Sequence, residues 1–417
     1  MSLAWIAYRA LAPCLGAVLP ATRIFISPRE RGLWRERLGH TSLPAAADAW
    51  VHAASLGEAT AVAPLLREMT TSQPAARLLL TATTLGGRER LARLGAPAAI
   101  APLDSPQATR HFFAGVRPRR LFLIETELWP HWLLAARARD VPVAVVSARL
   151  SERSLARYRR LGTPFRALVS GLAAVLCQTT EDLERWRLLG ARDEASEVTG
   201  NLKDDSLPAP AADRPAARAG LGMEADRPLL VLGSVRPGEV TRLARAWKRL
   251  PAELRGAWQV AVVPRHPRAS AELRAEATRA GQHVAPPGGR DAGAWTWDDR
   301  LGVLNRWYAA ADVAFVGGSL APYGGHNPLE PASCGAAVVM GRHHATQRDA
   351  VRALAARDAV RLVADEQDLV EALGTLLADP AARERAARDA RAVVDARRGT
   401  AGRTLARLAE RGLWPAA

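Results

Sequence analysis

The stretch Gly324-Gly325-His326-Asn327-Pro328-Leu329-Glu330-Pro331 comes shortly after an apolar run, Ala311 to Val316, that ends in Gly317-Gly318-Ser319. This order of residues predicts a buried strand emptying through glycines into a helix start, with Asn327 as N-cap and Pro328 as the first helical residue. Backbone N–H groups of the glycines and the first helical turn, left bare, would favour an anion such as a phosphate. A carboxylate at Glu330 would repel that phosphate at close range, so its better partner is a pair of hydroxyls such as those of a ribose. A nucleotide satisfies both. Capping alone accounts for Asn, Pro and Glu at these spacings, but not for Gly317, Gly318, Gly324 and Gly325, which weaken strand and helix alike.

Other chemistry-bearing residues also follow apolar runs. Ser55-Leu56-Gly57-Glu58 is a capping box opening a helix from Ala59 to Met69, yet Gly57 weakens that helix and lets a substrate approach the backbone. A carboxylate at Glu58 could take the proton of an attacking hydroxyl. Glu125 and Glu127 lie at alternate positions, so a continuing strand would point them the same way, with Arg149 or a substrate amine or hydroxyl to relieve their repulsion. Gly233-Ser234-Val235-Arg236 and Pro264-Arg265-His266-Pro267 place cations and N–H donors after two further runs, and a guanidinium held between prolines suits a phosphate. Asn201 and Lys203 lie where the two halves of the chain join, as hinge or turn residues.

Elements able to position these groups are legible as alternating strand-like and helical runs. From Trp50 to Gly200 the strand-like runs are AWVHAAS, RLLLTAT, AAIAPL, RLFLIE, VPVAVVS, AAVLCQ and SEVTG; after an Ala/Pro/Asp-rich break they resume with RPLLVLGS, WQVAVVPR, LGVL, DVAFVGGS, AAVVMG and VRLV. Such alternation predicts α/β architecture, two Rossmann-like domains with parallel sheets and a cleft between them. The expected divisions are 1–40 as a membrane-associating segment, 41–203 as the first domain, 204–227 as a linker, 228–395 as the second domain and 396–417 as a terminal helix. In open parallel sheets ligands gather beyond the carboxyl ends of strands, where the residues above fall.

Composition narrows the class further. A chain of 417 residues exceeds one usual core. The three cysteines, Cys14, Cys177 and Cys334, form no metal-binding spacing, so no zinc site is expected. The net charge of +15 comes almost wholly from arginine and favours polyanions, but no nucleic-acid-binding signature accompanies it, so no nucleic acid partner is expected. Residues 3–26 are mostly apolar but broken by Arg9, Pro13, Pro20 and Arg23, which argues for a segment lying on a membrane more than for a span. Trp5, Tyr8, Phe25 and Trp34, with Arg29, Arg31, Arg35 and Arg37, would suit an anionic cytoplasmic leaflet. A first helix packed on its own domain is the other reading of that segment.

Taken in order, WVHAASLGE at 50–58, ETELWP at 125–130, SARLSERS at 147–154 with Tyr158, GNLK at 200–203, PRHP at 264–267 and FVGGS…GGHNPLEPA at 315–332 resemble bacterial 3-deoxy-D-manno-octulosonic acid (Kdo) transferases of lipopolysaccharide synthesis. The resemblance covers nearly the whole chain. It implies a two-domain GT-B glycosyltransferase taking Kdo from CMP-Kdo to a lipid A precursor (lipid IVA) at the cytoplasmic face of the bacterial inner membrane, with inversion and without a metal or other cofactor. By the same resemblance Glu58 matches the general base and Ser55, Gly57, Glu125, Glu127 and Arg149 the acceptor side. Ser234, Arg236, Arg265, His266, Gly317, Gly318, Ser319, Gly325, Asn327 and Glu330 match the donor side. One departure stands out: Val235-Arg236 replaces the Thr-His usual in that family, so Arg236 stands in for a histidine. A GT-B transferase using a UDP-sugar and a lipid-linked acceptor, or a non-catalytic binder of anionic lipid, are the alternatives.

Overall fold

The computed structural model describes residues 4–8, 10, 33–41, 45–289, 291 and 293–415. The chain divides into two compact units, Met1–Ser206 with Gly399–Ala417, and Leu207–Arg398.

In the first unit the strands are β1 (Ala49–His52), β2 (Leu78–Ala82), β3 (Ala98–Ile100), β4 (Leu121–Ile124), β5 (Val143–Ala148), β6 (Ala174–Cys177) and β7 (Ser196–Val198). All seven apolar runs read as strands are strands, paired parallel in the order β3-β2-β1-β4-β5-β6-β7. Central strands such as Leu121–Ile124 are buried throughout, as a sheet covered by helices on both faces requires. Trp50 anchors one face, packing against Phe112, Phe113 and Trp132 with ring centroids 4.5, 5.5 and 4.9 Å away.

The helix expected from Ala59 to Met69 is two helices, Leu56–Ala61 and Ala63–Ser72. Pro64, near the start of the second, has no N–H to bond the carbonyl one turn back, and so breaks the continuity.

The second unit holds β8 (Leu229–Val235), β9 (Gln259–Pro264), β10 (Val284–Ala285), β11 (Trp295–Trp297), β12 (Val313–Val316), β13 (Ala337–Gly341) and β14 (Val360–Val363), in the parallel order β10-β11-β9-β8-β12-β13-β14. The run LGVL is not a strand. Gly302 turns the chain with φ +79°, and Leu304 starts a helix. The place is taken by Trp295–Trp297, whose Thr296 and Trp297 pair with Ala261 and Val262 of β9. Bulky aromatics favour a pleated, buried position that a glycine-interrupted run does not.

The segment expected as a linker, 204–227, also carries structure. Asp213 caps a helix, Arg214–Ala219, and buried Arg218 reaches Asp312 at 2.6 Å and the Ala310 carbonyl at 3.2 Å. Six residues are too few for helical periodicity to show in sequence. The last helix, Thr400–Glu410, returns to the first unit, where Asp205 accepts the Gly399, Thr400 and Ala401 N–H groups at 2.7, 3.2 and 2.6 Å.

The membrane-associating segment expected over 1–40 lies largely outside the described residues. Within them, Trp5 and Trp34 are buried rather than presented to a surface. Tyr8 stacks between Trp5 and His131 and donates to Asp104. Trp5 joins the first unit's core cluster, with half-buried Tyr8 stacked on it. Among the described residues no helix is long and apolar enough to cross a membrane.

Asp205→Ala removes the acceptor for three N–H groups at the start of the last helix. The expected cost is about 1–2 kcal/mol, read as a lower urea midpoint, with Asp205→Asn losing less.

Candidate active site

The central reversal of strand order falls between β1 and β4 in the first sheet and between β8 and β12 in the second, which also turns back at its edge, where β11 lies between β10 and β9. Strands leave these switch points in opposite senses, so the connections after them diverge and open a crevice at the carboxyl ends. Glu58 follows β1 and Glu125 and Glu127 follow β4; Arg236 follows β8, and the glycine loop follows β12.

In the first unit the Ser55 hydroxyl caps the helix at the Glu58 N–H, 3.3 Å away, and donates back to Glu58 Oε1 at 3.0 Å. The Ala54 N–H donates to Glu58 Oε2 at 2.8 Å. This is a capping box, but one whose half-buried carboxylate lies beside exposed Gly57, where a Cβ would meet only the Ser55 hydroxyl, at 3.8 Å. Burial pushes the Glu58 pKa up to about 7, with the Ala54 N–H opposing the rise and the charges of Glu125 and Glu127 adding to it. The three carboxylates therefore share one neighbourhood.

They do not point the same way, because β4 ends at Ile124 and Glu125 takes a left-handed backbone, φ +61°. Glu125 pairs with Lys203 Nζ at 2.6 Å, not with Arg149, which is exposed and offers its carbonyl to the Thr126 hydroxyl. Asn201 holds that lysine's segment by accepting the Lys203 N–H at 3.0 Å. Glu127 accepts Trp129 Nε1–H at 2.7 Å and lies 3.7 Å from His52 Nε2, a contact longer than a hydrogen bond. Burial would raise the Glu127 pKa, but His52 and Trp129 outweigh it and hold the carboxyl below its ordinary value. Fully buried His52 meets the Thr81 hydroxyl through Nδ1 at 2.9 Å. Its place inside a strand gave no sign of a role, since only the fold brings β4 alongside.

In the second unit Arg236, Arg265, His266 and His326 share a neighbourhood. Burial, then Arg265, Arg236 and His266, push the His326 pKa down to about 4, so its ring is neutral near pH 7, and its buried Nε2 has no hydrogen-bond partner. His266 is likewise lowered, by desolvation and then by Arg236, Arg265 and Arg268. The Arg236 guanidinium lies 4.3 Å from the Tyr323 ring centroid, and its buried Nε also lacks a partner. Burial raises the Glu330 pKa, opposed by Arg265 and a hydrogen bond from Asn327.

The glycine loop corrects the sequence reading. Its N–H groups are not bare: Gly318, Ser319 and Leu320 each donate to the Glu239 carboxylate at 2.8 Å, Gly325 donates to the Gly318 carbonyl at 2.7 Å, and His326 to the Gly317 carbonyl at 3.2 Å. The Ser319 hydroxyl is also internal, bonded to Val316 O at 2.5 Å and Gly341 N at 2.8 Å. Ser234 is buried, and its carbonyl packs on Gly317 so closely that a Cβ there would sit 2.4 Å from it. The helix is Leu329–Ser333, starting after the expected Pro328, although Asn327 does accept the Leu329 N–H at 3.0 Å. Sequence reading missed Glu239 and His326 as organisers of this site. The need of a tight loop for N–H acceptors, with a glutamate opening the helix after β8, was the available signal.

With this geometry in view, a family model described as 3-Deoxy-D-manno-octulosonic-acid transferase (kdotransferase) matches residues 33–206. The 3-deoxy-D-manno-octulosonic acid transferase of Bordetella pertussis is 38% identical over 380 residues, covering 87% of each chain. The chain belongs to the Kdo transferase family. The Haemophilus influenzae member is 30% identical over 373 residues, covering 86% of each chain. Among solved structures, Anabaena HepE in complex with UDP superposes with a TM-score of 0.62 at 15% identity, over 88% of this chain and 98% of that one. UDP-GlcNAc 2-epimerase from Neisseria meningitidis bound to UDP-GlcNAc gives 0.59 at 15%, over 88% and 99%. These likenesses show the fold: two Rossmann-like units of GT-B class, here carrying the sequence of a Kdo glycosyltransferase.

Lys203→Ala leaves the Glu125 charge uncompensated next to Glu58. The acid limb of the activity–pH profile should move upward, by less than about one unit, while Arg149→Ala leaves that limb in place.

Proposed function

We propose that the chain transfers Kdo from CMP-Kdo to a lipid A precursor, lipid IVA, in lipopolysaccharide synthesis, with Glu58 as general base and inversion at the anomeric carbon. The observation that carries this reading is Glu58 itself, a half-buried carboxyl with its pKa pushed up to about 7, held by an N–H and a hydroxyl beside exposed Gly57. A base works best with a pKa near the working pH.

In the proposed reaction an acceptor hydroxyl gives its proton to Glu58 as its oxygen attacks the anomeric carbon of Kdo. The bond from that carbon to the phosphate oxygen breaks, and CMP leaves with the electron pair. Glu125 and Glu127, fixed by Lys203, Trp129 and His52, are the acceptor-side carboxylates. In the second unit the side chains of Arg265, Arg236 and His326 are the groups for the departing phosphate, and Asn327 with Glu330 for the ribose hydroxyls. Leaving-group charge stabilised by one such donor is worth about 3 kcal/mol in other enzymes. Exposed Arg149, Arg153, Arg157, Arg159, Arg160 and Arg166 support work at an anionic surface such as the cytoplasmic face of the inner membrane.

The test is incubation with CMP-Kdo and lipid IVA, with mass spectrometry of the lipid and assay of the released nucleotide. A Kdo-bearing lipid with CMP is expected; UDP release from a UDP-sugar instead would reject the donor. Because Glu58 must be ionised to act, kcat/KM should fall as pH drops through about 7. Glu58→Gln should lower kcat by about 10²–10⁴-fold. The sign for stability is opposite: a folded-state pKa raised from 4.5 to about 7 means that ionisation of Glu58 weakens the fold across that window. Glu58→Gln should therefore melt no lower than the parent at pH 8. Unchanged turnover would remove Glu58 from the base role.

A further inference from the structure

Glu239 is fully buried and opens the helix Glu239–Arg249 after β8. Its Oε2 accepts the Arg236 and Gly318 N–H groups and its Oε1 those of Ser319 and Leu320, all at 2.8 Å. Burial raises its pKa while the four N–H donors oppose the rise. With two N–H groups on each oxygen no lone pair is left to carry a proton, so the arrangement suits a carboxylate and not a carboxylic acid. The adjoining turn is fixed from a second side, where Glu276 accepts the Gly238 and Thr241 N–H groups at 2.7 and 3.4 Å.

We infer that Glu239 is a positioning residue for the donor, an internal anion that fills the backbone nest of the glycine loop and ties it to the backbone of Arg236. The N–H groups of residues 318–320 are spent on Glu239, so donor phosphate is met by side chains, with the orphaned Arg236 Nε and His326 Nε2 as the unsatisfied polar atoms there. Glu239 also sets where those side chains stand, because it holds Arg236 by its own N–H, and holds Gly318 and Ser319, whose neighbours Gly317 and Gly318 carry the His326 and Gly325 N–H groups on their carbonyls. This inference rests on the second unit binding the nucleotide donor.

The test compares Glu239→Gln and Glu239→Asp with the parent, using CMP-Kdo and lipid IVA. Glutamine puts an NH2 group against N–H donors, and Asp falls one methylene short. Glu239→Gln is expected to raise the donor KM about tenfold or more while leaving the lipid KM unchanged, and Glu239→Asp to lie between it and the parent. A soluble Glu239→Gln with both KM values unchanged, and only a lower Tm, would overturn the inference. A parent enzyme that does not turn over CMP-Kdo would instead reject the donor reading. A second measurement needs no variant: hydrogen exchange of the segment 318–320 in the parent, with and without CMP. Slow exchange before CMP is added, changing by less than about threefold on addition, is expected. Fast exchange that slows only with CMP would show that the ligand and not Glu239 organises the loop, and would overturn the inference.

Discussion

A parallel sheet covered by helices on both faces leaves polar chemistry one place to stand, the ends of its strands. Both sheets here obey this constraint. Central strands such as Leu121–Ile124 and Val313–Val316 are buried from end to end, and charge begins only where they stop. The sign of that charge differs between the units. After β1 and β4, carboxylates crowd together and are separated by Lys203, Trp129 and His52. After β8 and β9, arginines and histidines crowd instead, and a buried carboxylate, Glu239, takes up the loop N–H groups. In the first unit the crowding is eased by a built-in counter-charge, Lys203 on Glu125.

Local surroundings set how each carboxyl ionises. The Glu58 pKa is pushed up to about 7 chiefly by burial, which its two hydrogen bonds do not fully offset and to which the nearby charges of Glu125 and Glu127 add. Glu127 goes the other way and stays ionised. Environments of this kind push the pKa values of neighbouring carboxyls apart, leaving one near neutrality and one ionised.

Much of this was legible in the chain. Mostly apolar runs of five to seven residues marked the seven strands of the first unit, because a buried central parallel strand has no polar face to disguise it. Gly-rich and charged residues after those runs marked a candidate site, because ligands of parallel sheets gather beyond strand ends. Glu58, Glu125 and Glu127 were identifiable, but the Lys203 pairing was not, since it joins positions far apart in sequence. Trp295–Trp297 escaped because three aromatic and polar residues carry no strand period, and LGVL misled because hydrophobicity outweighed Gly302. The glycine loop was placed correctly and its chemistry misread. Backbone N–H groups can be counted in a sequence, but whether the protein spends them on itself depends on a glutamate some eighty residues earlier.

The return of the last helix to the first unit bears on how the protein is made. Trp414 packs against Phe122 of β4 and donates to the Ser72 hydroxyl at 3.1 Å, and Leu408 and Leu413 join the same cluster. The first unit thus waits for residues 400–414, made after the whole of the second, before one face of its sheet is closed. Until then β4 and its neighbours present an open apolar seam, while the second unit, contiguous in sequence, can complete itself first.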